Sequence, residues 1–498
     1  MNDLMQHLPA LQVLIPMVAA LVAALLRSGA AGWVIALVAT WLSMIVSVLL
    51  LQQVLAAPGP ISYVFGGWTV PVGIEYRVDR LNIFVLLVVN LIAAVLLPYA
   101  ARSVASEVRA DQRGWFYAMF LLCLTGLLGM GISGDAFNIF VFLEISSLSS
   151  YVLIAMGRHR RALLASYQYL IIGTIGATFY VIGVGLMYLS TGSLNLADIG
   201  ARLDLASTDY GSPLLVALAF LTVGISLKAA LFPLHVWLPN AYAYAPTAVG
   251  TFLAGTATKV AIYLLIRIYY SVYGPVFGVD LLPADEILIV MSLAAMVLAS
   301  FSAIFQDNAR RMLAYSSVAQ IGYITLGVAL VNQSGLTGGI VHVMNHAVIK
   351  TALFMALGAI FFRIGSMRFA DMAGIGRRMP ITMAAFAIAG MGLIGVPGTA
   401  GFISKWYLAV GAIDAGLWPI AFVIVASSVL AMVYVGKVIE VAYFRAPSGA
   451  ADDARDPPLS MLVPMLALVA LSVWLGFDTR FSADLASGAA QVLLEGIR

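Results

Sequence analysis

Charge is what this sequence has least of: of 498 residues, 10% are charged and 62% hydrophobic, with a mean hydropathy of +1.01. A soluble globular domain carries about 25% charged residues, so that class is excluded. Cysteine is nearly absent too. Cys123 is alone and lies in an apolar run, so it is read as a packing residue, and neither an intrachain disulfide framework nor a thiolate metal cluster is available. The net charge of +3 is spread over several loops without a dense basic cluster, which removes nucleic acid as a partner. The first ten residues contain no Lys or Arg and so lack the basic region of a secretory signal. The apolar run that follows is long enough to span and is expected to be a retained first helix.

What is present is one long apolar run after another. At roughly 20 residues per crossing, they predict about fourteen transmembrane helices at 9–26, 33–55, 82–99, 115–132, 137–156, 163–189, 214–232, 247–269, 288–305, 312–331, 338–362, 381–402, 418–444 and 459–475. The expected fold is all-α and polytopic, because each span must satisfy its own backbone hydrogen bonds in lipid. The longest gaps, 56–81, 190–213 and 445–458, have room for a loop or an interfacial helix but not for a catalytic domain, and no cofactor is expected.

The arginines are asymmetric. Loops after odd-numbered spans carry Arg27, Arg102, Arg109, Arg113, Arg158, Arg160, Arg161, Arg310, Arg311, Arg363, Arg368, Arg377, Arg378, Arg445 and Arg455. The other face has Arg77, Arg80, Arg202, Arg480 and Arg498, with Arg267 near the end of span eight. Basic residues in short loops stay cytoplasmic, so both termini are expected on the non-cytoplasmic face of a bacterial inner membrane.

The five lysines, Lys228, Lys259, Lys350, Lys405 and Lys437, fall within or at the edge of predicted spans, whereas the arginines sit mostly in loops. A charge at mid-bilayer costs on the order of 3 kcal/mol on insertion scales, so a retained set implies work that apolar residues cannot do. Lysine suits proton loading and release because desolvation makes its proton labile, whereas arginine stays protonated. The clearest intramembrane carboxylate is Glu144, in Phe142-Leu143-Glu144-Ile145-Ser146-Ser147. Paired with Lys228 it would hold the ammonium charged until the pair loosens; a static interhelical ion pair is the bland alternative.

Span eleven places His342, His346 and Lys350 at steps of four, one helical face over roughly 12 Å. A hydrated proton relay, packing polarity and a metal pair are all compatible with that spacing, though no third ligand is evident for a metal. Lys437 and Glu440, three apart, are either a snorkelling pair or an exit gate. Two interruptions stand beside lysines: Pro233 and His235 follow Lys228, and Pro397 in Gly395-Val396-Pro397-Gly398 precedes Lys405. Broken helices near a buried charge in two halves of a chain are what an inverted-repeat transporter predicts; each alone is also compatible with a simple proline kink. Gly390-Met391-Gly392-Leu393-Ile394-Gly395 fits the dinucleotide pattern but has no preceding strand, and small-residue helix packing explains it better.

At these residues the sequence resembles the antiporter-like family shared by Mrp-type cation/proton antiporters, respiratory complex I and membrane-bound hydrogenases. The resemblance covers roughly 115–444. It is carried by Gly134-Asp135-Ala136-Phe137-Asn138 leading to Glu144, by 228–239, and by Ala245-Pro246-Thr247-Ala248-Val249 leading to Lys259. It continues in Arg310-Arg311-Met312-Leu313-Ala314-Tyr315-Ser316-Ser317, in Asn345-His346 to Lys350, and in 397–405.

The resemblance implies three N-terminal spans in 1–114, two inverted five-helix repeats in 115–270 and 284–445, and a last helix with tail in 458–498. It also implies that Glu144 and Lys228 are a coupling pair, Lys259 and Lys350 bridging groups, Lys405 a terminal proton site, and His235 and His346 relay partners. The stretch before span five is most like the D-type branch of the Mrp antiporter proteins, and the chain is expected to lack the long lateral helix of the largest complex I relative. Arg310-Arg311 stands where the family often has Lys-Arg, and Asn308, next to Asp307, occupies a position often acidic. The implied function is a proton-translocating subunit of a multisubunit monovalent cation (Na+/K+)/proton antiporter, with other hydrophobic subunits as partners and no enzymatic chemistry of its own. The alternative is a pumping subunit of a redox-driven complex.

Overall fold

The computed structural model describes residues 5–206, 211–274, 284–447 and 454–495; the first four residues and Arg498 lie outside them, as do parts of the gaps at 190–213 and 445–458. Helices α1 (Leu8–Leu26) and α2 (Gly29–Ala56) are joined at Arg27, in the left-handed region, and Ser28, whose hydroxyl accepts from the Ala31 N–H. A two-stranded antiparallel hairpin follows, β1 (Ile61–Val64) on β2 (Glu75–Val78), with Ile61 opposite Val78. Nothing in the gap at 56–81 predicts it. α3 (Arg80–Glu107) opens on a capping box in which Asp79 accepts from Leu81 and Asn82, and Asn82 accepts from the Asp79 N–H; such boxes satisfy N–H groups that a helix start leaves orphaned.

The next elements are α4 (Arg113–Ile132), α5 (Ala136–Ala155), α6 (Arg160–Thr191), the short α7 (Leu196–Ala206), α8 (Gly211–Ala229) and α9 (Leu238–Tyr244). α10 (Thr247–Gly255) and α11 (Ala257–Ile266) lead to a π turn at Arg267–Val272. α12 (Ala284–Ala294) joins α13 (Ser300–Ile304) through another π turn, before α14 (Ala309–Ala329) and α15 (Gln333–Ile364). α16 (Pro380–Ile394), α17 (Ala400–Asp414), α18 (Trp418–Phe444), α19 (Leu459–Phe477) and α20 (Leu485–Leu494) complete the chain.

Among the described residues, twelve helices are long and apolar enough to cross a membrane, with shorter apolar helices at Pro213–Ala229 and Pro380–Ile394. The chain is a polytopic helical membrane protein. The two expected spans missing from the twelve are the two with proline interruptions. The span drawn at 214–232 ends as helix at Ala229, and that drawn at 381–402 ends at Ile394, because proline cannot continue the hydrogen-bond ladder. A third interruption, at Thr256 between α10 and α11, falls inside the span drawn at 247–269.

Helices α10, α11 and α14 are almost wholly enclosed, whereas α2 turns Val38, Trp41 and Ile45 outward and α18 turns Phe422, Val425 and Val429 outward. Apolar side chains facing out are the surface that lipid expects, so helix association rests on close packing rather than on water exclusion. Gly224 on α8 shows this: a Cβ there would lie 2.7 Å from the Gly176 carbonyl oxygen of α6. The Gly390 to Gly395 run is likewise helical packing, with Gly390 against Val435 and Gly392 against Ile349.

Candidate functional site

Lys228 occupies the last turn of α8 and is buried. Its Nζ donates to Ser147 Oγ at 2.6 Å and lies 3.8 Å from Glu144 Oε1. Glu144 and Ser147 are one turn apart on α5, hence on one face. At 3.8 Å the carboxylate acts through its charge rather than a hydrogen bond, and among the described residues Glu144 Oε1 has no hydrogen-bond partner. A cavity of about 20 Å³ adjoins the pair, lined by Ser146, Ser147, Ser150, Tyr169 and Lys228. One water needs roughly 10–15 Å³, so the cavity has room for a single bridging molecule.

Beyond Lys228 the helix ends and the chain turns through Ala230, at φ +56°, and Pro233. The carbonyls this frees are taken up: Leu231 N–H donates to Ser226 O at 3.0 Å and Trp237 Nε1 to Leu227 O at 2.9 Å. His235 stacks on Phe232 and turns toward the edge of Tyr315. Among the described residues no hydrogen bond joins it to a lysine, but Tyr315 precedes Ser316, which accepts from Lys350.

The other three buried lysines donate to backbone carbonyls. Lys259 Nζ reaches Ala254 O, whose helical acceptor role is vacated by the interruption at Thr256, and Thr258 Oγ1 at 3.4 Å. Lys350 Nζ donates to Leu313 O at 2.8 Å and to Ser316 Oγ. Lys405 Nζ takes Leu393 O at 3.1 Å and Ile394 O at 2.8 Å, the last carbonyls of α16 before Gly395 turns at φ +90°, with Ser428 Oγ at 3.0 Å. A helix C-terminus is the negative end of its dipole, so the Pro397 break provides a seat for an ammonium. The Tyr323 ring, 4.5 Å away, adds a cation–π contact.

Between these lysines lie the histidines of α15. His342 bonds Ser404 Oγ at 2.7 Å through Nδ1 and Gln320 Oε1 at 3.0 Å through Nε2, while its ring stacks 6.0 Å from that of His346. Neither His346 nitrogen has a partner among the described residues, although the side chain is buried. Such a group calls for water. The charge of Lys259 acts on His346, Lys350 and His342, and that of Lys405 on His342. His342 and His346 stack along α15, Lys350 lies one turn beyond His346, and His342 bonds Ser404, the neighbour of Lys405; the cavity beside Lys228 is also lined by Ala257 and Ala261 of α11, two residues to either side of Lys259.

Lys437 is not paired with Glu440. Its Nζ donates to Ile304 O at 3.0 Å and Gln306 O at 2.8 Å, and Glu440 binds Arg445 at 3.0 Å. Arg310, expected in a loop, is buried within α14, 3.8 Å from Glu107 Oε2 and bonded to Thr247 Oγ1, while Glu107 accepts from the Thr247 N–H at 2.9 Å. Asn308 caps α14 by accepting from the Arg311 N–H. At the opposite end of the bundle Arg267 grips Asp79 with two hydrogen bonds, of 2.7 and 2.9 Å. Burial alone would push the Asp79 carboxyl up, but the Arg267 charge and hydrogen bonds, with the Asn82 N–H, hold it below the ordinary 3.8.

A family model described as "NADH:quinone oxidoreductase/Mrp antiporter, TM" matches residues 133–431, more than half of the chain. The chain belongs to the NADH:quinone oxidoreductase/Mrp antiporter family. Glu144, Lys228, Lys259, Lys350 and Lys405 all lie in the stretch that defines this family, and Lys437 lies outside it. A family relative, NADH-quinone oxidoreductase subunit N of Desulforudis audaxviator, is 42% identical over 508 residues, covering 98% of each chain. The D-type subunit of the Na(+)/H(+) antiporter of Alkalihalophilus pseudofirmus is 29% identical over 413 residues, 83% of this chain and 82% of that one. Among solved structures, a chain of the Mrp complex from Dietzia superposes with a TM-score of 0.90 at 27% identity, covering 99% of this chain and 98% of its own.

Proposed function

We propose that this chain is the proton-translocating subunit of a multisubunit monovalent cation/proton antiporter, resident in a bacterial inner membrane with both termini on the non-cytoplasmic face. The observation that carries the proton role is the buried row itself. Protons load Lys228 as its link to Glu144 changes, pass Lys259 and the His346 and Lys350 face, and leave near Lys405, with His342 between. His235, beside the Pro233 turn, relays on the side of Tyr315. Water at the unpartnered His346 nitrogens supplies the hops. Carbonyl seats suit the transfer, because they hold an ammonium by dipoles without neutralising its charge, as a carboxylate would.

In this reading 115–270 and 284–445 are two repeats, each with its broken span fourth, and Na+ or K+ is exchanged by the assembly. The full-length superposition on an Mrp chain supports the antiporter assignment. A second reading, a pumping subunit of a redox-driven complex, is favoured by the 42% identity to an NADH-quinone oxidoreductase chain over the whole length. Purification of the native assembly and its reconstitution in vesicles tests both. Collapse of a pH gradient on adding sodium, potassium or lithium, with small hydrophobic subunits co-purifying, supports the antiporter. Iron–sulfur or flavin subunits, and no cation-dependent collapse, support the second reading and overturn the first.

A further inference from the structure

Around the Asp79–Arg267 pair lies a cavity of about 750 Å³ that the proton row does not use. The hairpin, the start of α3, the end of α11 with its π turn, and α20 enclose it. It opens on the face where arginine is scarce. Of the described arginines there, Arg202 is paired with Asp198, Arg267 with Asp79 and Arg480 with Asp478. Arg77 and Arg80, both lining the cavity, have neither an ion pair nor a side-chain hydrogen bond among the described residues. Arg80 is admitted by a missing side chain: a Cβ at Gly488 of α20 would lie 2.7 Å from its Nη1. Glycine there leaves the guanidinium room beside α20, at the cavity wall.

Two guanidiniums lining one cavity without a hydrogen-bond partner among the described residues, in loops that topology keeps poor in positive charge, point to an anion. The fork of arginine matches a phosphate better than any other side chain does. Asp79 is already held by two hydrogen bonds from Arg267, with the Arg77 charge acting on it as a lesser influence; the other lining carboxylate, Glu495, is exposed. The walls include Val54, and nearby α2 turns Val48 and Leu55 outward, so an apolar track runs from the cavity onto the lipid-facing side of the bundle.

We propose that this cavity is a binding site for the phosphate head group of an anionic phospholipid, held by Arg77 and Arg80 with its acyl chains along α2. The site is separate from the proton row, and its readout is binding. The purified, delipidated assembly is titrated with phosphatidylglycerol, phosphatidylcholine or inorganic phosphate, and thermal stability and lipid retention by native mass spectrometry are measured. Phosphatidylglycerol is expected to raise the melting temperature. The R77Q/R80Q double variant should bind it at least tenfold more weakly, and R480Q, on the same face but outside the cavity, should match the parent. An equal response to phosphatidylcholine, or an unchanged phosphatidylglycerol response in the double variant, overturns the proposal. An arginine-dependent shift with inorganic phosphate alone overturns the lipid source. Loss of a partner protein from the double variant, with this chain still folded, assigns the arginines to a protein contact and overturns it as well.

Discussion

Replacing Glu144 by glutamine removes one charge and almost no volume, so it isolates what the carboxylate does for Lys228. At 3.8 Å and an effective dielectric of about 20, two unit charges attract by about 4 kcal/mol. Lys228 has one hydrogen bond to a neutral group, Ser147 Oγ, and no carbonyl seat like those of Lys259, Lys350 and Lys405. Losing the carboxylate charge therefore lowers the proton-binding constant of Lys228 by about three orders of magnitude, at roughly 1.4 kcal/mol per decade. The aspartate variant keeps the charge but retreats by one methylene. A gap of about 5 Å retains about 3 kcal/mol, so E144D should lose a few-fold where E144Q loses nearly everything. The assay is proton flux in vesicles holding the reconstituted assembly, with subunit content checked by gel. Wild-type flux in an intact E144Q assembly would show that the carboxylate charge does not hold the Lys228 proton, and so would equal loss in E144D and E144Q.

Two further outcomes follow from the packing and the ion pairs. Gly224→Ala puts a methyl 2.7 Å from the Gly176 carbonyl oxygen, so α6 and α8 must separate; a loss of about 1–3 kcal/mol in thermal stability is expected, together with reduced flux, because Lys228 rides one turn further along α8. Unchanged stability would show that the helices do not touch there. Asp79, held below 3.8 by Arg267 despite its burial, contributes stability that is present above its unfolded value and is lost as pH falls through the lower folded value. The melting-temperature gap between the parent and D79N should therefore be full at pH 7 and narrow only below about pH 4; a gap that widens on acidification contradicts the pairing.

The buried lysines were legible because an ammonium in an apolar run is rare enough to be noticed alone, and the broken spans were legible because proline marks them. The seats were not. Thr256 interrupts its span without a proline, so the freed Ala254 carbonyl under Lys259 has no sequence signature, and the Leu393 and Ile394 carbonyls belong to residues whose side chains say nothing of their role. Arg310 reads as a loop residue because it precedes a span at its polar edge, and Glu107 falls in the gap between 99 and 115. Only the fold, which brings the end of α3 against the start of α14, shows that they are buried together. The hairpin escaped for a related reason: its strands are four residues each, too short for alternation to stand out between glycines and prolines.

If protons cross through the buried ammoniums, Lys350 is the member with least reason to be there otherwise. It is fully enclosed, bonded to Leu313 O and Ser316 Oγ, and paired with no carboxylate among the described residues. Methionine fills its space without a charge and leaves a dry, well-packed bundle. Proton flux through the reconstituted Lys350→Met assembly should fall to the level of protein-free vesicles while every subunit is retained; flux at the parent rate would mean that protons take another path.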